Sequence, residues 1–148
     1  MIAPTAEQLQ SECTEVLQRL VRFNTVNPPG NERAAIEYLD AYVSTAGFET
    51  AVLGQSAERP NLVADLRGAQ DGPTLCFLGH VDTVLADASE WRHDPWSGDL
   101  ADGFLWGRGS IDMKSQVAAE AVAASGMIFH SMRSKCATLP PEVHSGGS

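Results

Sequence analysis

Residues 75–83 constrain this chain more than any other stretch. Leu75-Cys76-Phe77-Leu78 is a four-residue apolar run. That length suits a buried strand and is too short for a helix. The run stops at Gly79, and His80 and Asp82 follow two residues apart. Open α/β sheets present their binding groups at strand ends of this kind, so an α/β fold is expected. A second polar constellation, Gly107-Arg108-Gly109-Ser110-Ile111-Asp112-Met113-Lys114, places its aspartate thirty residues after Asp82 (112 − 82 = 30). The two stretches are expected to meet in space and to form part of a metal site.

The segments around them read as two helices, three strands, a hairpin and a further helix. Thr5 and Gln8 have capping-box spacing, and Leu9, Cys13, Val16, Leu17, Leu20 and Val21 then fall on one helical face. Asn27-Pro28-Pro29-Gly30-Asn31 cannot continue a helix and reads as a loop. A second helix is expected over about 32–46, burying Ala35, Ile36, Leu39 and Val43, with Gly47 as its stop. Strands are expected at 48–53, 61–67 and 74–78. Asp102-Gly103 is a turn dipeptide between 99–101 and 104–106, a hairpin. Met113–Ala124 is alanine-rich and strongly helix-forming. Together these suit a mixed sheet covered by helices. Residues 1–125 form one unit. Residues 126–148 show no clear period, end in Ser-Gly-Gly-Ser, and read as a disordered tail.

Composition excludes some partners. Ten basic and 19 acidic residues give a net charge of −9. Such a chain lacks the basic face that nucleic acid needs, and an anionic membrane repels it. No apolar run reaches 18 residues, and the N-terminus lacks a basic segment followed by an apolar core. Three cysteines without a C-x-x-C pair suggest neither a disulfide framework nor a zinc ribbon. Cys13 and Cys76 sit at apolar positions and read as buried thiols of a cytoplasmic protein.

The motif residues admit two readings each. His80 is either a hydrogen-bonded imidazole at a strand end or a ligand of a divalent metal. Asp82 is either a turn-capping aspartate or the group that orients His80 and raises its basicity. Asp112 is either the N-cap of the following helix or a carboxylate shared by two ions. Lys114 and Arg108 are expected to be solvated or paired with nearby acids. Trp91, Trp96 and Trp106 are expected to pack, and His93, His130 and His144 have no partner at ligand spacing. No Gly-x-Ser-x-Gly elbow, Walker loop or Gly-x-Gly-x-x-Gly is present.

Phe77-Leu-Gly-His-Val-Asp-Thr-Val84, Trp91-Arg-His-Asp-Pro-Trp96 and Asp102-Gly-Phe-Leu-Trp-Gly-Arg-Gly-Ser-Ile-Asp-Met-Lys114, taken together, resemble the M20 family of metallopeptidases and amidohydrolases. The likeness extends over about residues 6–125 and includes the Asn27-Pro-Pro-Gly-Asn-Glu32 loop. It is of the acetylornithine deacetylase and succinyl-diaminopimelate desuccinylase type. It implies the N-terminal portion of a zinc-exopeptidase-like catalytic domain that cleaves an amide of an N-acyl amino acid or small peptide. The water would be activated by two Zn²⁺, with Co²⁺ or Mn²⁺ as substitutes. The resemblance makes His80 and Asp112 metal ligands, Asp112 the bridge, and Asp82 the catalytic residue that positions His80. It also implies a cis peptide after Asp112. The family's Glu-Glu pair, its later ligands and its dimerising lid domain have no counterpart here, for Glu120 and Glu142 stand alone. The alternative expectation is an inactive truncated or frameshifted fragment that binds metal weakly.

Overall fold

The structure is a computed structural model that describes residues 3–68 and 70–136, with side chains to residue 127. Helix α1 spans Ala6–Arg22. Its capping box forms as expected: Gln8 N–H donates to Thr5 Oγ1 at 3.2 Å and Thr5 N–H to Gln8 Oε1 at 2.8 Å. Helix α2 spans Arg33–Thr45 and buries the expected Ala35, Ile36, Leu39 and Val43. Strands β1 (Glu49–Leu53) and β2 (Asn61–Asp65) pair antiparallel, Glu49 opposite Asp65. Strands β3 (Asp99–Ala101) and β4 (Phe104–Trp106) form the expected hairpin, Asp99 opposite Trp106. Asp102 and Gly103 both have positive φ, 55° and 81°, which two-residue hairpin turns require. Helix α3 begins at Lys114.

The α/β character holds, but two expectations about it change. The strands form two separate antiparallel ribbons rather than one mixed sheet. Residues 74–78 carry no strand and no ladder partner among the described residues, so they do not form the expected buried strand. Leu78 is 87% exposed, and Leu75, Phe77 and Cys76 are exposed too. An apolar run buries its side chains only when another layer covers it, and none of the described elements does so here. Cys13 is half-buried, and burial pushes its thiol pKa up. Helix α3 also runs past the expected end at Ala124, to Cys136. No proline interrupts it there, so hydrogen bonding continues although the apolar stripe does not. The rest of the expected disordered tail, residues 137–148, lies outside the described residues.

The core joins all three helices to one extended residue: Val16 and Leu20 of α1, Ala35, Ile36 and Leu39 of α2, Ala118 and Val122 of α3, and Val81. Helix α1 packs on α3, and α2 covers β1 and β2. Val81 and Thr83 are buried while His80 is exposed and Asp82 half-buried. The two-residue alternation of extended chain therefore turns His80 and Asp82 to the same outer face. Among the described residues no helix is long and apolar enough to cross a membrane.

The turn before α3 is tight. Gly109 has φ +83°, and a Cβ there would lie 2.7 Å from Thr83 Cγ2 and 3.1 Å from Lys114 Cδ. Gly103 has nearly the same φ, but a Cβ there meets nothing within 4 Å. Both alanine variants carry a left-handed penalty of about 1–2 kcal/mol. Gly109→Ala adds crowding of about 1–3 kcal/mol. Urea unfolding should therefore show the larger loss at Gly109, and equal losses would contradict this packing.

Helices α1 and α2 are also tied by a polar contact. Tyr42 Oη donates to Glu12 Oε1 at 2.7 Å. Burial, then the Glu12 hydrogen bond and charge, push the tyrosine pKa well above its usual value. The phenol is thus harder to ionise folded than unfolded. Its contribution is complete below about pH 10 and declines as pH rises beyond that. The stability difference between wild type and Tyr42→Phe should shrink between about pH 9.5 and 11. A constant difference over that range would contradict the assignment.

Candidate metal centre

His80, Asp82 and Asp112 meet at one cavity of about 360 Å³. Asn27, Thr83, Trp91 and Arg108 also line it, together with the turn 107–111. His80 is the hub. Its Nδ1 lies 3.0 Å from Asp82 Oδ1 and 3.2 Å from the Asp82 carbonyl oxygen. Its Nε2 lies 3.3 Å from Asp112 Oδ1. A carbonyl cannot donate, so the Nδ1 proton is shared with these two acceptors. In the neutral ring that leaves the lone pair on Nε2, facing Asp112.

Asp82 is held at both oxygens, for Asn27 Nδ2 donates to Oδ2 at 3.0 Å. That hydrogen bond holds the Asp82 carboxyl below the usual carboxylate range. Burial opposes it, and His80 adds to it. Asp112 sits in the turn just before α3 with its side chain 87% exposed. The Asp112–Met113 peptide is cis, as the resemblance implies. Ser115, rather than Asp112, reaches back across this turn, with its hydroxyl on the Ile111 carbonyl.

The surrounding cations depart from expectation. Lys114 is 0% exposed and so not solvated, and it pairs with no acid among the described residues. Its Nζ donates to the Phe23 carbonyl at 2.9 Å and lies 6.0 Å from the Trp96 ring. Burial lowers its pKa to about 8. The spacing does carry the signal, since Lys114, Ala118 and Val122 recur every four residues and all three are buried. Arg108 has its guanidinium 5.2 Å from the Trp91 ring centroid, and its backbone N–H donates to the Pro95 carbonyl at 2.7 Å. Trp106 packs as expected, stacked on His93 at 4.7 Å. His93 itself contacts Asp99 Oδ2 at 3.1 Å, away from the cavity. Sequence reasoning missed Asn27 at the site, having read it only as loop. Among the described residues no group of three or more His, Cys, Asp or Glu side chains gathers at metal-binding range.

Residues 76–135 match the family model described as Peptidase family M20/M25/M40. That match crosses Ser125, as α3 does. Curated relatives carry the name succinyl-diaminopimelate desuccinylase. The protein from Ehrlichia ruminantium (strain Gardel) is 37% identical over 116 residues, covering 76% of this chain and 30% of its own. That from Ehrlichia canis (strain Jake) is 36% identical over 126 residues, covering 82% and 32%. That from Paracoccus denitrificans (strain Pd 1222) is 42% identical over 115 residues, covering 77% and 29%. The chain thus spans under a third of the length of these relatives. With the paired motifs joined at one cavity and the relatives agreeing, the chain matches the M20 peptidase family over that family's N-terminal part.

Proposed function

We propose that this chain supplies part of a two-metal site of an amide hydrolase, with His80 and Asp112 as ligands and Asp82 orienting His80. One observation carries the reading: His80 Nε2 lies 3.3 Å from the Asp112 carboxylate, and in the neutral ring with its proton on Nδ1 that nitrogen carries a lone pair. Two acceptors so close repel each other unless a cation lies between them. The separation also suits a shared ion. Two ligands on one tetrahedral zinc, with bonds of about 2.0–2.1 Å, stand about 3.3–3.4 Å apart. An imidazole and a carboxylate suit zinc, and Co²⁺ or Mn²⁺ can substitute.

When bound, a pair of divalent ions polarises an amide carbonyl and lowers the pKa of an attacking water. The protein's own contribution is orientation. Asp82 keeps the Nδ1 proton in place and aims Nε2 outward. The second oxygen of Asp112, on an exposed side chain, would be the one to reach a second ion, the bridging role. The cavity leaves room beside these groups for a small N-acyl amino acid or peptide. A desuccinylase acts on that chemistry, and the reading places this protein among cytoplasmic enzymes of that type.

A second reading applies to the 148-residue chain alone: a weak metal-binding module without turnover. The lack of a third ligand among the described residues favours it, because catalytic zinc takes three protein ligands. Cobalt titration of the chain near neutral pH tests both. Binding should weaken at least about tenfold in His80→Ala and in Asp112→Ala. Affinity unchanged in both variants would mean that a proton, not a metal, joins the pair. Hydrolysis of N-acyl amino acids by the chain alone, lost in His80→Ala, would contradict the silent-module reading.

A further inference from the structure

The loop between α1 and α2 reaches the site through Asn27. Residues 25–27 run alongside 81–83. Thr25 Oγ1 donates to the Val81 carbonyl at 2.6 Å, and Thr83 N–H donates to the Thr25 carbonyl at 2.9 Å. Asn27 N–H donates to the Thr83 carbonyl at 2.9 Å. Val26 and Thr83 form a parallel bridge. Pro28 follows, and a residue before proline is confined largely to extended backbone. The Asn27 backbone is therefore fixed against the segment that carries Asp82. From there its carboxamide donates to Asp82 Oδ2 at 3.0 Å, which leaves Oδ1 for His80 Nδ1 at 3.0 Å.

We propose that Asn27 is a positioning residue for His80: by gripping one oxygen of Asp82 it fixes the carboxylate plane that orients the imidazole. The inference rests on His80 as a metal ligand. A carboxylate held at one oxygen turns easily about its terminal torsion, whose wells are broad. Held at both, it presents one oxygen to the ring. Outer partners of a ligating histidine act in this way, and losing one typically costs 10–100-fold in metal affinity. The side chain is separable from the loop anchor, because the backbone N–H bond to Thr83 survives substitution.

The test uses the full chain with Asn27→Leu, Asn27→Ala and Asn27→Ser. Long-range ¹⁵N–¹H spectra at about pH 8, where a free imidazole is neutral, report the His80 tautomer. Cobalt titration reports affinity, and urea unfolding reports stability. Wild type should hold the proton on Nδ1. The leucine and alanine variants should average the two tautomers and bind cobalt about tenfold more weakly, while serine, which keeps a donor, restores part of both. Should one variant fail to fold, the other decides. A folded variant that keeps the wild-type tautomer and binds cobalt within twofold of wild type overturns the proposal, whatever its stability. If wild type itself binds no cobalt, the metal reading fails, and the tautomer comparison still decides the role of Asn27.

Discussion

Five residues after α1 hold both halves of the candidate site. The Phe23 carbonyl, at the C-cap of that helix, receives the Lys114 ammonium and so fixes the start of α3 behind Asp112. Thr25 and Asn27 bind the backbone of Val81 and Thr83 and so fix His80 and Asp82. The two ligand-bearing stretches lie thirty residues apart in sequence (112 − 82) and meet because each is bound to this one segment. Without it, residues 74–82 have no ladder partner among the described residues to set their position.

The cost of this arrangement is concentrated at Lys114. A buried ammonium loses its hydration, and among the described residues it gains a carbonyl and an aromatic face in return. The lowered pKa is the same cost expressed as proton affinity. Around it the turn is packed to the limit, with Gly109 against Thr83 and the lysine stem itself. A charge-assisted hydrogen bond and close packing thus add to the hydrophobic contacts of Ala118 and Val122 in anchoring the helix. The result is a closely packed turn carrying an exposed carboxylate, which suits a group that must be accessible yet well placed.

Much of the fold is legible in the sequence where the signals are local. The capping box of α1, the buried stripe of α2 and the Asp102-Gly103 turn each follow from a few neighbouring residues. The meeting of the two stretches is legible too, since His80 and Asp82 share a face by two-residue alternation and Asp112 lies in the turn before a helix. What escapes depends on distant chain. The run 75–78 is apolar because something should cover it, but none of the described elements does. Lys114 reads as solvated until its four-residue spacing from Ala118 and Val122 is seen. Asn27 carries no local mark beyond the proline after it. The course of α3 past Ala124 escapes because its apolar stripe fades while nothing stops the backbone.

On the proposed reading, His80 and Asp112 hold one ion between them. X-ray absorption of the zinc-loaded chain tests it most directly. Nitrogen and oxygen scatterers at about 2.0–2.1 Å are expected, together with the outer-shell pattern of an imidazole. That imidazole pattern should vanish in His80→Ala. A spectrum that is the same in the variant would contradict the claim.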